Sequence, residues 1–117
     1  MDLESLQARI EAFADERDWS QFHTPRNLVL ALLGEMGELA EIFQWAHDSE
    51  ISESWIHEHR DELSDELADV FVYLVRLSQI LGVDLADAAM AKIERNESRY
   101  PADLARGNAK KYTQLGD

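Results

Sequence analysis

The chain has 117 residues, no cysteine and a formal charge of −13 at pH 7, from 24 acidic and 11 basic side chains. This length predicts one domain over residues 1–117, with a helical core of about residues 3–100 and a polar tail over residues 102–117. The acidity argues against nucleic-acid polymers and anionic membranes as partners, and the missing cysteines exclude disulfides, thiolate zinc sites and cysteine nucleophiles. With no leader pattern at the first residues and no run near the roughly 18 apolar residues of a membrane span, we expect a cytoplasmic protein.

The first half of the chain predicts two helices. Only two prolines and five glycines interrupt the sequence, and the segments between them show helical rather than alternating periodicity, so no strands are expected. A first amphipathic helix is predicted over residues 3–17. Thr24 and Pro25 are a start signal for a second helix, because a threonine oxygen caps free amide groups and proline fits the first turn. We expect this second helix to run to about His47.

The second half of the chain predicts two more helices. After a polar loop over residues 48–54, a long third helix is expected over residues 55–81, with a stop at Gly82. Asp84 can cap a fourth helix, which should end near Arg99 because the residue before a proline is disfavoured in helical geometry. The sequence therefore predicts an all-α domain of the four-helix-bundle type.

Two acidic signatures lie inside the apolar helical segments. Glu35 and Glu38 are about one turn apart on the second helix, and Glu66 and Asp69 repeat this spacing on the third. Viewed along the helix axis, the first residue of each pair lies roughly 70° and the second roughly 130° from the centre of the apolar face. The direction of rotation is the same in both helices. Because a twofold axis relates two antiparallel helices, the four carboxylates are predicted to face one cleft.

A cleft lined by four carboxylates predicts a divalent metal site. At about 5 Å and an effective dielectric near 20, each pair of like charges costs on the order of 3 kcal/mol, and a cation relieves this repulsion. Carboxylate oxygens are the ligands that Mg²⁺ prefers, and few protein ligands leave positions open for water and substrate phosphate. Gly34 and Gly37 predict close approach of a neighbouring helix or a ligand, because glycine costs a helix up to about 1 kcal/mol. A single acidic pair is more often a solvated helix face, but the matched pairs favour metal binding.

Other chemistries lack their motifs. A carboxylate-bridged di-iron bundle uses Glu-x-x-His, and none of the four histidines has a glutamate three residues before it. The chain also contains no phosphate-binding loop and no GxGxxG motif. The remaining alternative of a different class is a non-catalytic helical module, either a scaffold or a sensor that binds nucleotides without hydrolysis.

The acidic signatures and several flanking segments resemble one known family. Residues 34–41, followed by residues 65–70, resemble the paired acidic signature of the MazG-like all-α nucleoside triphosphate pyrophosphohydrolases. Four further segments look like the dCTP pyrophosphatase branch of that family: residues 16–23, 25–28, 43–45 and 99–101. The resemblance covers nearly the whole chain and implies a MazG-like fold assembled through oligomerisation.

The resemblance also implies roles for individual residues. It implies that the four carboxylates bind Mg²⁺, which is the expected cofactor. Lys92 and Asn96 match positions expected near the phosphates, although Lys92 could equally be a solvated surface charge. The nucleoside pocket that it implies is formed by aromatic and polar side chains, namely Trp19, Ser20, Gln21, Phe22, His23, Trp45 and Tyr73.

These features predict a Mg²⁺-dependent hydrolase that converts dCTP, or a 5-modified relative, into the monophosphate and pyrophosphate and so sanitises the nucleotide pool. Glu35 and Glu38 are the predicted catalytic residues, with Glu38 as the base that accepts a proton from the attacking water. Ile10 departs from the branch, whose close members carry a histidine at this position, so one polar contact to the nucleotide is expected to be missing. This leaves dUTP or a damaged nucleotide as alternative substrates.

The second helix predicts self-association. Val29, Leu30 and Leu33 widen its apolar surface beyond the stripe that one neighbouring helix covers. We therefore expect a homo-oligomer. The family resemblance implies a tetramer made of two dimers, in which active sites include residues from neighbouring chains.

Overall fold

The computed structural model describes residues 2–115, and every regular element in that range is helical. The chain divides into two compact units, Met1–Val83 and Asp84–Asp117. None of the helices in the described range is long and apolar enough to cross a membrane. The expectation of one domain over the whole chain stays a prediction.

The first unit contains four α-helices. They are α1 (Leu3–Glu16), α2 (Pro25–Phe43), α3 (Glu53–Glu58) and α4 (Arg60–Leu81), with short 3-10 turns at Ser20–Phe22 and Asp48–Glu50. The second unit contains α5 (Leu85–Arg99), α6 (Ala102–Ala105) and a 3-10 turn at Tyr112–Gln114.

Local capping fixes most helix ends. The Thr24 hydroxyl accepts a hydrogen bond from the backbone N–H of Asn27 at 3.2 Å, directly before Pro25 in the first turn of α2. Asp84 caps α5 in the same way, and Gly82 ends α4 in the left-handed conformation with φ of 67°. These three boundaries are those that the sequence predicts, because each depends on neighbours within one turn.

Helices α2 and α4 form an antiparallel pair. At one end, His23, just before α2, contacts Arg76 near the end of α4. At the other end, the rings of Phe43 in α2 and Trp55 in α3 lie 5.4 Å apart. The side chains on the facing sides of the pair are therefore brought together along its length, which places the middle of α2 opposite the middle of α4.

The interior of the first unit is small. Among the described residues, only four apolar side chains are buried, Ile10 and Ala14 on α1, Leu28 on α2 and Val75 on α4. Large apolar side chains on the outer faces of α2 and α4 stay exposed: Val29, Leu30, Leu33 and Met36 on α2, and Leu67, Phe71, Leu74 and Leu81 on α4. One chain thus leaves much of its apolar helix surface uncovered.

Two predicted helix boundaries are wrong. The third predicted helix is not continuous, because His59 leaves helical geometry (φ −100°, ψ 10°) and separates α3 from α4. The His59 ring stacks on Trp55 at 4.0 Å and its Nδ1 bonds the Trp55 carbonyl at 2.8 Å, so local side-chain contacts accompany the break. In addition, α2 ends at Phe43 rather than near His47.

The structure also describes most of the polar tail and the surroundings of two glycines. Residues 102–115 include α6 and a 3-10 turn, beside which the rings of Tyr100 and Tyr112 meet edge to face. Gly34 and Gly37 are not approached by another helix of the described chain, because apart from the backbone of α2 itself no atom lies within 4 Å of a Cβ built at either position. The space beside these glycines is open to a ligand or a neighbouring subunit.

Candidate active site

Three predicted carboxylates meet between α2 and α4. Oxygen atoms of Glu35, Glu38 and Glu66 all lie within 4.8 Å of one another. The first two are one turn apart on α2, and the antiparallel pairing brings the third from α4. This spacing is short enough for one cation to contact all three side chains.

Two oxygens of this cluster have no hydrogen-bond partner. Glu35 Oε2 and Glu66 Oε2 are both buried, and no donor among the described residues reaches either atom. Buried carboxylate oxygens are normally hydrogen-bonded or bound to a metal, because the loss of water is otherwise uncompensated. The two unpartnered oxygens fit a site that binds a cation.

The pKa values of the clustered carboxyls also reflect their burial and their closeness to one another. Burial, followed by the neighbouring carboxyl of Glu38, raises the pKa of Glu35 to about 7 from 4.5, and the charges of Asp69 and Glu66 add to the shift. Burial and the neighbouring Glu38 also raise the pKa of Glu66. Burial and like charge therefore both oppose ionisation of Glu35 and Glu66, and a bound cation would offset this opposition. Hard divalent cations bind this type of donor set.

Asp69, the fourth predicted carboxylate, lies beside the cluster rather than within it. Its side chain is exposed and its charge acts on both Glu35 and Glu66, but it is not among the three groups whose oxygens meet. Asp69 instead lines an adjacent cavity together with Tyr73, which follows it by about one helical turn. The cluster and the cavity are thus neighbouring parts of one site.

The cavity beside the carboxylates has a volume of about 280 Å³. Ile10 and Phe13 of α1 form one wall, and Val72 and Tyr73 of α4 form another. Trp19 closes one side, with its ring edge-on to Phe13 at a centroid distance of 5.5 Å. A cavity with aromatic walls next to a cation site suits a nucleoside whose phosphates extend toward the metal.

The turn between α1 and α2 supplies two of the cavity residues, Trp19 and His23. It begins at Asp18, whose positive φ of 55° turns the chain sharply after α1, and Gln21 Nε2 donates to the Asp18 carbonyl at 2.9 Å. Gln21 therefore shapes the turn rather than the cavity wall. Phe22 is 59% exposed and also lies outside the lining.

One residue of the cavity was missed from the sequence. Arg76 lines the cavity and bonds both Ser20 Oγ and His23 Nδ1, at 3.0 Å and 2.9 Å. Ser20 thus contributes to the site through Arg76, since it does not line the cavity itself. A charged residue within the apolar run of α4 was a signal that could have revealed it, although its partners lie more than fifty residues away in sequence.

Three predicted residues lie outside α1, the turn that follows it and α4, which line this cavity. Trp45 is 86% exposed and lies beyond the end of α2. Lys92 and Asn96 lie on α5, in the second unit, one turn apart on the same helix face. Their predicted contacts with the nucleoside and the phosphates stay predictions.

A sequence model of the MazG-like family matches residues 33–115, which include α2 from its middle and the whole of α4. The chain belongs to the MazG-like family. The all-α MazG-like fold predicted from the sequence is therefore confirmed.

Known proteins resemble this MazG-like chain over most of its length. It is 51% identical over 114 residues to dCTP pyrophosphatase 1 of Mus musculus and to that of Homo sapiens, covering 97% of this chain and 67% of each relative. A pyrophosphatase from Archaeoglobus fulgidus has a similar structure, with a TM-score of 0.79 and 35% identity over 85% of this chain and 92% of that one. The predicted resemblance to the dCTP pyrophosphatase branch is confirmed by these identities.

Proposed function

We propose that this MazG-like chain is a metal-dependent nucleoside triphosphate pyrophosphohydrolase that converts dCTP into dCMP and pyrophosphate and so removes unwanted nucleotides from the pool. The observation that carries the proposal is the meeting of Glu35, Glu38 and Glu66 beside an aromatic cavity, in a chain half identical to dCTP pyrophosphatases. A 5-modified dCTP is included in the substrate class.

Mg²⁺ is the proposed cofactor, held by Glu35, Glu38 and Glu66 with Asp69 at the edge of the same site. When bound, Mg²⁺ supplies charge neutralisation for the triphosphate and lowers the pKa of a water molecule. The two buried oxygens without partners support this assignment, because a cation would satisfy both.

The protein residues then position the reacting groups. Trp19 and Tyr73 hold the base and sugar in the cavity, which leaves the triphosphate directed toward the carboxylates. Glu38 accepts the proton of the water that attacks the α-phosphorus, since it is the most solvent-accessible of the three clustered glutamates. Lys92 and Asn96 are proposed to contact the phosphates.

The active protein is proposed to be a homo-oligomer, a tetramer formed by two dimers. The exposed apolar faces of α2 and α4 support this, because Leu30 and Leu33 remain 55% and 66% exposed in the single chain. Trp45 is proposed to complete the nucleoside pocket of a neighbouring chain, which would account for its exposure here. The protein is proposed to act in the cytoplasm, on free nucleotides rather than nucleic-acid polymers or membranes.

A second substrate class is favoured by one observation. Ile10 is buried and lines the cavity at a position where close members of the branch carry a histidine. An apolar wall here removes one polar contact that could select the base. We therefore include dUTP and damaged nucleotides as candidate substrates beside dCTP.

The test is a panel of nucleotides incubated with the purified protein and Mg²⁺, with released pyrophosphate as the readout. The proposal predicts pyrophosphate and dCMP from dCTP, at a higher kcat/KM than from the other nucleotides. Pyrophosphate from dUTP or an oxidised purine nucleotide in preference to dCTP would favour the second class. Binding without pyrophosphate release from any nucleotide would instead identify a nucleotide sensor or scaffold.

A further inference from the structure

A buried arginine joins the turn before α2 to α4. Arg76 is only 5% exposed, yet no carboxylate in residues 2–115 lies within ion-pair distance of it. Its guanidinium donates to His23 Nδ1 at 2.9 Å, to Gln79 Oε1 at 3.0 Å and to Ser20 Oγ at 3.0 Å. The Ser20 hydroxyl in turn donates to Asp15 at 2.8 Å, so this hydroxyl links the guanidinium to a carboxylate.

The contact with Arg76 determines the tautomer of His23. A guanidinium has donors only, so the Nδ1 atom that faces it must accept and cannot carry a hydrogen. The single hydrogen of the neutral ring is therefore on Nε2. Burial and the charge of Arg76 both lower the pKa of His23, which keeps the ring neutral at physiological pH.

The opposite arrangement at His59 provides an internal contrast. His59 Nδ1 lies 2.8 Å from the carbonyl oxygen of Trp55, which can only accept. His59 must therefore carry a hydrogen on Nδ1. The two histidines are fixed in different tautomers by the chemistry of a single neighbour each.

The second ring nitrogen of His23 is free, and the residue borders the cavity. His23 lines the cavity with Trp19 and Tyr73, and Nε2 makes no hydrogen bond to any residue in the described range. The Nε2–H group is consequently an unused donor at a wall where the proposed function places the nucleoside. Hydrogen bonding from Arg76 to Nδ1 also polarises the ring, which strengthens the donor at Nε2.

We propose that Arg76 is a positioning residue that fixes His23 as a neutral Nε2–H donor, and that this donor binds an acceptor on the base edge of the nucleotide. This rests on the proposed function, since it assumes that the cavity receives the nucleoside. Cytosine presents two acceptors on its pairing edge, N3 and O2, whereas uracil and thymine carry a hydrogen on N3. A donor directed at N3 therefore selects cytosine, and one directed at O2 accepts any pyrimidine.

The first test reads the tautomers directly in the wild-type protein. Long-range ¹⁵N NMR of the histidine rings at neutral pH should show an unprotonated Nδ1 and a protonated Nε2 for His23. The same spectrum should show the reverse pattern for His59, which serves as the control. Saturating dCMP should then shift the Nε2 resonance of His23 and leave that of His59 in place. A His23 ring protonated on Nδ1, or an Nε2 unaffected by dCMP, would overturn the proposal.

The second test separates positioning from folding. Arg76→Met removes the donor to Nδ1, whereas Arg76→Lys keeps one, and Arg60→Met makes the same change at an exposed site on α4. With dCTP, Arg76→Met should raise KM about threefold to tenfold, in proportion to one lost hydrogen bond, with kcat within about twofold of wild type. Arg76→Lys should restore much of the affinity and the wild-type NMR pattern, and Arg60→Met should match wild type.

The third test removes the donor itself, and it applies even where Arg76→Met does not fold. His23→Leu should raise KM for dCTP by the same factor as Arg76→Met, and His23→Gln, which keeps an N–H, should raise it less. A loss confined to dCTP indicates N3 as the acceptor, and an equal loss with dUTP indicates O2. If His23→Leu keeps wild-type activity and KM, the inference about His23 is wrong and the proposed function is unaffected. If the wild-type protein does not hydrolyse dCTP, the proposed function is wrong, and the NMR test of the tautomers still applies.

Discussion

The antiparallel pair of α2 and α4 carries two polar clusters that contain buried atoms, and they are completed in different ways. Near one end, the Arg76 guanidinium has three acceptors from its own chain, at His23, Gln79 and Ser20. In the middle, Glu35 and Glu66 each bury an oxygen that no described residue satisfies. The first cluster is a finished structural element that shapes a cavity wall. The second is incomplete as protein alone, which is the property expected of a ligand site.

The largest expected effect comes from removing one charge of the incomplete cluster. Glu35→Gln or Glu66→Gln should lower kcat with dCTP and Mg²⁺ by more than about 100-fold, because a neutral amide is a poor ligand for a hard cation. Circular dichroism should show unchanged helix content. Glu41→Gln, at an exposed position on α2, is the matched control and should keep wild-type activity. Full activity in Glu35→Gln would show that this carboxylate is not needed for catalysis.

The next effect concerns the exposed faces that one chain leaves uncovered. Leu33→Glu places a charge on the outer face of α2, where the leucine is 66% exposed. Light scattering should show an oligomer for wild type and a smaller species for this variant, because a charge in an apolar interface is costly to desolvate. Glu41→Gln again serves as the control. A monomeric mass for the wild-type protein would refute the proposed assembly.

The raised pKa of Glu35 predicts that the carboxylate cluster makes the stability of the protein depend on pH. A carboxyl whose pKa is higher in the folded protein stabilises folding at low pH, and for Glu35 this stabilisation is lost as pH rises from about 4.5 through about 7. In EDTA, the Tm of wild type should therefore fall between pH 5 and pH 8 more steeply than that of Glu35→Gln. Glu41→Gln should retain the wild-type slope, and Mg²⁺ should flatten it. Equal slopes of Tm against pH for Glu35→Gln and Glu41→Gln would show that Glu35 does not cause the pH dependence.

The smallest effect tests the completed cluster. Ser20→Ala removes the hydroxyl that accepts from Arg76 and donates to Asp15, and should lower the free energy of unfolding by about 1 kcal/mol. Urea denaturation at fixed pH measures this change. Ser64→Ala, at an exposed position on α4, should leave the free energy of unfolding within about 0.5 kcal/mol of wild type. Equal values for the two variants would mean that the contact with Ser20 contributes little.

Features set by local chemistry could be predicted from the sequence. The helix starts at Thr24 and Asp84 and the stop at Gly82 depend on residues within one turn, and the structure has all three. The convergence of Glu35 with Glu66 could also be predicted, because it follows from helical periodicity and one antiparallel pairing.

Features set by distant contacts could not be predicted. The break at His59 accompanies stacking on Trp55, which periodicity does not encode. The role of Arg76 depends on partners 53 and 56 residues earlier in the chain. Trp45 is 86% exposed, and no contact among the described residues explains its position.

The most direct measurement is the binding of Mn²⁺, a hard cation with the same ligand preference as Mg²⁺, followed by electron paramagnetic resonance without nucleotide. Saturable binding to wild type and Glu41→Gln, weakened at least about tenfold in both Glu35→Gln and Glu66→Gln, is the predicted result. Equal Mn²⁺ binding in all four proteins would show that the carboxylates between α2 and α4 do not hold the cation.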